Sequence, residues 1–258
     1  MNYIGIDIGS TCAKTVVLNE KKEIIQEFVQ PTGWSSVDTA EEIHQKLELA
    51  GINLSDDSSC CVATGYGRIS VPYADKAVTE ITCHALGAVH LFQQPDLTVI
   101  DIGGQDTKII QIEQGFVKDF IMNDKCAAGT GRFLEVMANT LSLRPNEMFD
   151  LARLGSDTTI SSMCTVFAES EVIGLIGKGE PKENIAYAVV NSTIRKVAAQ
   201  VSRMNGDMST FCLTGGLCEC EYIREALSKE LGKEVISCPD ARYAGAIGAA
   251  LSAMKIRK

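Results

Sequence analysis

Two segments of this 258-residue chain repeat one arrangement of aspartate, glycine and lysine. In "IGIDIGSTCAKTVVL", Asp7 ends an apolar run, Gly9 opens a turn and Lys14 follows it. The segment "TVIDIGGQDTKIIQI" has the same residue types at the same spacing, as Asp101, Gly103 and Lys108. Glycine lets the backbone approach an anion and direct N–H groups at it, and lysine adds positive charge. The repeat therefore predicts two phosphate-binding turns.

Other residues of these turns extend the predicted nucleotide site. The hydroxyl groups of Ser10 and Thr11 would bind phosphate. Asp7 and Asp101 could hold a hydrated Mg²⁺, because this ion prefers few carboxylates plus phosphate oxygens. A single turn of this kind is more often only a hairpin, but a third glycine pair follows an apolar strand in "FCLTGGLCE". The predicted site is completed by Gly104, Asp106 and the third glycine pair, Gly215 and Gly216.

Two of the ten cysteines share a particular sequence context. Cys126 in "MNDKCAAGTGRFLEVMA" and Cys164 in "ISSMCTVFAESEVI" each precede a helix-like run. The amino end of a helix favours a thiolate or an anionic metal–sulfur cluster. Most free cysteines are small core residues, so burial is the simpler interpretation of most of the others. Cys218 and Cys220 are expected to be exposed or half-buried thiols without a role. Two thiolates cannot complete a four-cysteine cluster, but two chains related by a twofold axis would supply four.

The composition of the chain argues against three classes of protein: nucleic-acid-binding, membrane-spanning and secreted proteins. The net charge is −9, which argues against nucleic acid as a partner because phosphate binding relies on clustered Lys and Arg. No apolar run approaches the roughly 18 residues of a membrane span. The start "MNYIGIDIGSTCAK" lacks the basic segment of a signal peptide. Without an export signal, and with a chain large enough to fold without disulfide bonds, we expect free thiols in a reduced, cytoplasmic setting. The usual CxxC ligand pair of zinc and iron–sulfur sites does not occur in the sequence.

The pattern of elements predicts an α/β protein built from a duplicated unit. Strands are expected at 3–8, 15–18 and 21–30, followed by helices at 35–51 and 74–92 with the short strand "CCVATGYGR" between them. The second Asp–Gly segment repeats the opening plan of three strands. Further helices are expected at 130–141, 165–178, 182–204, 219–231 and 243–254, with strands at "STFCLTGG" and "EVISCP". We expect the two halves to face a central cleft.

The three turns resemble those of the ATPase superfamily that includes actin, hexokinase, acetate kinase and the heat-shock chaperones. In order, "GIDIGSTCAK" and "VIDIGGQDTK" look like its two phosphate loops and "LTGGL" like its adenosine loop. The resemblance implies two RNase H-like lobes with ATP between them. Lobe I would be residues 1–94 joined by the C-terminal helix 240–258, and lobe II would be residues 95–239, with the adenosine loop and both cysteines.

Longer motifs resemble one family more closely, the ATP-dependent activators of 2-hydroxyacyl-CoA dehydratases in the BadF/BadG/BcrA/BcrD ATPase group. This group also includes reductases of double-cubane cluster proteins. The motifs are "TGYGR", "DIGGQDTK", "MNDKCAAGTGRFLEVMA", "ISSMCTVFAESEV" and "LTGG". The resemblance implies a homodimer with one bridging [4Fe-4S] cluster held by Cys126 and Cys164 of each chain. It also implies ATP and ADP as nucleotides and Mg²⁺ as their metal ion.

The implied activity is ATP-driven transfer of single electrons. Reduced ferredoxin or flavodoxin would donate, and a 2-hydroxyacyl-CoA dehydratase or a double-cubane cluster protein would accept. In hydrolysis, Asp7 and Asp101 would organise Mg²⁺ and water, and Gln105 would orient the attacking water, as a glutamine does in other NTPases. The alternative is a small-molecule kinase of the same superfamily, because one fold hosts many functions.

Overall fold

The structure is a computed structural model that describes residues 1–54, 56–161, 164–205 and 210–256. The chain divides into two compact units. Unit 1 comprises Met1–Leu97, Ile112–Lys118 and Asp240–Lys258, and unit 2 comprises Thr98–Gln111 and Asp119–Pro239. No helix in the described part of the chain has the length and apolar character needed to cross a membrane.

Unit 1 contains a five-stranded mixed sheet in the order β3-β2-β1-β4-β5. Its strands are β1 (Asn2–Ile8), β2 (Cys12–Leu18), β3 (Ile24–Pro31), β4 (Ser59–Thr64) and β5 (Lys76–Ala77). The helices are α1 (Ser36–Leu49), α2 (Glu80–Phe92) and α8 (Ala244–Ile256). β1 pairs antiparallel with β2 and parallel with β4. These pairings place the β1–β2 turn and the carboxyl end of β4 at the same edge.

The second sheet repeats that arrangement as β10-β9-β6-β7-β8. Its strands are β6 (Leu97–Ile102), β7 (Thr107–Glu113), β8 (Phe116–Asn123), β9 (Phe211–Gly215) and β10 (Val235–Ile236). The helices are α3 (Gly131–Thr140), α4 (Pro145–Ala152), α5 (Thr165–Gly177), α6 (Lys182–Val201) and α7 (Glu221–Leu231). Both sheets have the same order of strands along the chain, and in each a parallel strand lies beside the first strand, β4 beside β1 and β9 beside β6. This confirms the duplicated α/β architecture predicted from the repeated segments.

The unit 1 sheet is covered on both faces. Ile4, Ile6 and Ile8 alternate along β1 and pack with Ile43 and Leu47 of α1, all of them buried. The opposite face lies under α8. A Cβ atom on Gly5 would stand 1.9 Å from the carbonyl oxygen of Ala246, so the lack of a side chain at Gly5 allows α8 to contact the strand directly.

The boundaries of two helices differ from the sequence prediction. α2 begins at Glu80, six residues later than predicted, because residues 74–78 bond to the edge of the sheet. The Asp75 N–H donates to the Cys61 carbonyl and the Val78 N–H to the Ala63 carbonyl, at 2.8 and 2.9 Å. α6 ends at Val201 rather than at residue 204. The short helix α4 was not predicted.

Candidate functional site

The first predicted phosphate turn is the β1–β2 hairpin. The Gly9 N–H donates to the Cys12 carbonyl at 3.1 Å and closes the turn. Thr32, just after β3, binds the turn twice: its hydroxyl donates to the Gly9 carbonyl at 2.7 Å and its N–H to the Thr11 carbonyl at 3.0 Å. The side chains of Ser10 and Thr11 stay exposed, and Lys14 is half-buried at the start of β2. The hairpin therefore leaves its hydroxyl groups accessible to a ligand.

Asp7 lies buried at the end of β1, with 3 % of its surface exposed. Among the described residues, its Oδ1 atom has no hydrogen-bond partner. Two glycines make room for the carboxylate: a Cβ atom on Gly65 would stand 2.4 Å from Oδ1, and one on Gly245 would stand 2.4 Å from Oδ2. A buried carboxylate oxygen without a protein donor is costly unless a ligand or cation compensates it. Asp7 therefore fits a role as a metal or water ligand.

The second turn is bound to the start of α3. The Gly103 N–H donates to the Asp106 carbonyl at 2.9 Å. The N–H groups of Gly131 and Arg132 donate to the carbonyls of Gly103 and Gly104 at 2.9 and 2.8 Å. The first N–H groups of a helix lack partners within the helix, so the turn supplies them. The side chain of Gln105 is exposed at the tip of this turn.

Asp101 and Lys108 form the buried centre of the second turn. The Lys108 Nζ atom lies 3.2 Å from Asp101 Oδ2 and 2.8 Å from Asp106 Oδ2. The Thr214 hydroxyl donates to Asp101 Oδ1 at 2.9 Å. The lysine is 1 % exposed, so its charge has to be compensated inside the protein. The carboxylates of Asp101 and Asp106 provide this compensation. A direct contact between Lys108 and phosphate stays a prediction.

The third turn follows β9 and lies beside Asp101. β9 runs parallel to β6 with Asp101 opposite Thr214 and Ile102 opposite Gly215, so both strands end at one edge of the sheet. Gly215 has φ +85°, and a Cβ atom there would stand 2.7 Å from Asp101 Oδ1 and 2.6 Å from the Ile102 carbonyl oxygen. Gly216 is exposed beyond it. Unit 2 thus brings the second and third predicted turns together.

Cys126 and Cys164 differ from the other cysteines in exposure. These two are exposed, whereas the rest are half-buried or buried: Cys12, Cys60, Cys61, Cys83, Cys212, Cys218, Cys220 and Cys238. Cys164 caps the amino end of α5, and its carbonyl accepts from the Ala168 N–H at 2.9 Å. Cys126 lies in a loop five residues before α3 rather than directly at its start. The predicted pairing of a cysteine with a helix start therefore holds closely for Cys164 and loosely for Cys126.

Polar side chains hold the Cys126 loop in place. The Asn123 amide donates to the carbonyls of Cys126 and Ala128, at 2.8 and 3.1 Å. The Thr107 hydroxyl donates to the Gly129 carbonyl at 2.6 Å. Since Thr107 directly follows Asp106, this bond connects the cysteine loop to the second phosphate turn.

Several residues of these sites were missed in the sequence. Thr214 and Thr107 are polar residues directly beside predicted site residues, and Asn123 lies three residues before Cys126, so their sequence position was the available signal. Gly65 lies in the "TGYGR" motif, but the sequence marks neither its contact with Asp7 nor that of Gly245, because only the folded chain places these glycines against Asp7.

Comparison with known proteins covers almost the whole chain. The sequence profile of the BadF/BadG/BcrA/BcrD ATPase family matches residues 4–253. The chain is 44 % identical to the (R)-2-hydroxyglutaryl-CoA dehydratase activating ATPase of Acidaminococcus fermentans over 98 % of this chain and 96 % of the relative. A crystal structure of component A of the A. fermentans dehydratase superposes with a TM-score of 0.92 at 41 % identity, and each chain is covered completely.

Two further solved structures are relevant, one to the bound nucleotide and the other to the fold. The activator of the 2-hydroxyisocaproyl-CoA dehydratase from Clostridium difficile, with bound ADPNP, superposes with a TM-score of 0.90 at 35 % identity, over 99 % of this chain and 95 % of the other. A ROK-family glucokinase from Streptomyces griseus superposes with a TM-score of 0.62 at 16 % identity, over 99 % and 100 % of the two chains. The second similarity shows the fold alone, which is that of the actin-like ATPases and ROK kinases.

Proposed function

Because this chain belongs to the BadF/BadG/BcrA/BcrD ATPase family, we propose that it is an ATP-dependent activator that transfers single electrons at low potential to an iron–sulfur enzyme. Its acceptor would be a 2-hydroxyacyl-CoA dehydratase or a double-cubane cluster protein, and reduced ferredoxin or flavodoxin would be its donor. The similarity to dehydratase-activating ATPases supports ATP-dependent activation of a dehydratase. ATP can drive the transfer only if it binds two conformations of the activator unequally.

The three turns carry the proposed nucleotide contacts. Gly9, Ser10, Thr11 and Lys14 would bind phosphate from unit 1. In unit 2 the phosphate contacts would come from Gly103, Gly104, Asp106 and Lys108, and the adenosine contacts from Gly215 and Gly216. The exposed Gln105 side chain would position the attacking water. The bound ADPNP of the C. difficile relative supports ATP as the nucleotide.

Mg²⁺ fits the aspartates of this site. Asp7 has a buried carboxylate oxygen without a described donor, which is the kind of group that a hydrated cation satisfies. Asp101 would contribute from unit 2, where the Thr214 hydroxyl and the Lys108 ammonium already fix its carboxylate. When bound, Mg²⁺ would neutralise charge that develops on the phosphate oxygens.

A cluster fits Cys126 and Cys164, and their exposure is the observation that carries this part of the proposal. A thiol that binds metal at a surface shared by two chains must be accessible in each chain, and these are the two exposed cysteines. Four thiolates hold a [4Fe-4S] cluster, so two chains would supply them as a homodimer. A bound cluster would supply the one-electron carrier.

Iron content tests this function against the alternative of a small-molecule kinase, which the ROK-like fold permits. We expect anaerobic purification to give a brown dimer with about four irons per dimer. Cys126→Ser and Cys164→Ser should each lose the iron and the colour and still bind ATP. The half-buried Cys220 is the matched control, and Cys220→Ser should keep the iron and the colour. A colourless wild-type protein with ATP-dependent phosphorylation of a small molecule would support the kinase instead.

A further inference from the structure

A cavity of about 400 Å³ lies within unit 2. Its wall is formed by one side of α6, the start of α3, the segment just after Cys126 and the segment just before Cys164. Its described lining contains no glycine or acid of the three nucleotide turns. A cavity of this size suits a small organic molecule.

The cavity has positive charge on α6 and just after its end. Arg195, Lys196 and Arg203 line it, and no aspartate or glutamate belongs to its described lining. Within the described ranges, none of these three cations has an ion pair. Three cations that make no ion pair with the described residues line one cavity of a chain with a net charge of −9. Their arrangement favours a ligand with at least two negative charges.

Lys196 is held against the cysteine loop. A Cβ atom on Gly129 would stand 2.9 Å from the Lys196 Cγ atom, and Gly129 has φ +87°, a conformation that favours glycine. The stem of the lysine therefore packs on the backbone of the loop. This contact orders one cation of the cavity before any ligand binds.

We propose that this cavity binds a small organic anion with two or more negative charges, that is, a phosphorylated or dicarboxylic acid. Arg195, Lys196 and Arg203 bind its charged groups. The ligand lies between the segments that carry Cys126 and Cys164, at Gly129 and Ser161. Binding here is separate from binding at the nucleotide turns.

Calorimetric titration of the full chain tests the site. The protein is first saturated with AMP-PNP and Mg²⁺, so that a phosphate-bearing probe cannot occupy the nucleotide turns. The probe is 3-phosphoglycerate, which carries a phosphate, a carboxylate and a hydroxyl group. We expect one molecule to bind per chain, and Lys196→Gln and Arg203→Gln each to weaken binding about tenfold or more. Lys182→Gln removes a cation from the exposed start of the same helix and should change affinity less than about twofold.

Succinate tests the chemistry of the ligand, because it carries two carboxylates and no phosphate. Binding of succinate at least as tightly as 3-phosphoglycerate would identify a dicarboxylate ligand, whereas the reverse order would identify a phosphorylated one.

Three results would overturn the proposal: no binding of 3-phosphoglycerate or succinate, loss of binding when AMP-PNP is added, or equal affinity in wild type and Arg203→Gln. Arg203 is exposed, so its variant should fold, and retained AMP-PNP binding verifies this. The titration reads neither iron nor ATP hydrolysis, so its outcome is independent of the proposed electron transfer.

Discussion

Asp101 and Lys108 form a buried ion pair, 3.2 Å from Oδ2 to Nζ, inside the second predicted phosphate turn. The corresponding residues of the first turn, Asp7 and Lys14, lie opposite each other in the register of β1 and β2. In the described part of the chain Lys14 makes no ion pair, and Asp7 Oδ1 has no partner. The duplicated turns therefore differ in charge: the second is compensated within the protein, and the first has a carboxylate oxygen left for a ligand.

Replacing Lys108 by methionine should destabilise the protein strongly, because two carboxylates at the turn would lose their buried cation. Removing one partner of a buried pair costs about 3–5 kcal/mol of unfolding free energy. Lys118→Met is the matched control, since Lys118 pairs with Glu113 on the surface, where a pair contributes about 0–1 kcal/mol. Denaturant unfolding of both variants measures the difference. Similar losses in the two variants would contradict the assigned role of Lys108.

Alanine at Gly215 should damage the nucleotide site through Asp101. Its Cβ atom would stand 2.7 Å from Asp101 Oδ1 and force the carboxylate to move. A displacement of about 1 Å can cost about a hundredfold in rate, so we expect a loss of that order in ATP hydrolysis. The matched control is Gly232→Ala: Gly232 also has positive φ, +65°, but a Cβ atom there meets nothing within 4 Å. Both variants carry the backbone strain, about 1–2 kcal/mol, so hydrolysis should separate them.

Alkylation of the iron-free protein should distinguish the cysteines. Only the thiolate reacts, and burial raises the pKa of the Cys83 thiol to about 11 and also raises the pKa values of Cys61 and Cys212. Iodoacetamide at pH 8 should therefore modify the exposed Cys126 and Cys164 at least about ten times faster than these three. Peptide mass spectrometry over time measures the rates. If the proposed cluster is bound, the iron-loaded protein should show protection at the two exposed positions alone.

The same buried thiols predict a loss of stability in alkali. Their pKa values are raised in the folded protein above the value of about 8.5 for an unfolded chain. The unfolded state therefore loses these protons at a lower pH than the folded state does. The free energy of unfolding keeps its full value below about pH 8.5 and falls as pH rises toward 11. Cys83→Ala should flatten the decline by up to about 1.4 kcal/mol per pH unit. Melting temperatures of both proteins between pH 8 and 11 give the slopes, and equal slopes would exclude Cys83 as a cause.

Much of the fold follows from local sequence patterns. The Asp–Gly turns, the alternating strands and the capped helix α1 were predicted because each depends on neighbouring residues; the Ser35 hydroxyl, for example, accepts from the Asp38 N–H. α4 was missed because it has eight residues, too few for a clear periodic pattern. The repeat also indicated equal chemistry in the two turns, yet the Asp101–Lys108 pair depends on burial that the spacing does not encode.

The candidate site was predicted in part for the same reason. The turn residues and the two cysteines lie in short motifs that can be recognised along the chain. The cavity on α6 could not be predicted, since Gly129, Ser161 and Arg203 are far apart in sequence and meet only after folding. Gly65 and Gly245 likewise act on Asp7 through tertiary packing alone.

The contact between Gly5 and α8 determines the order in which the two units can finish folding during synthesis. The face of β1 that contains Gly5 is covered by a helix whose residues leave the ribosome after all of unit 2. At about 5–20 residues per second, translation of residues 98–239 takes roughly ten to thirty seconds. During that time the nascent chain exposes the apolar residues that α8 later covers, Val16 and Leu18 among them. Unit 2 can complete its fold before α8 is synthesised. Unit 1 stays incomplete until then, and chaperones would bind its exposed apolar residues.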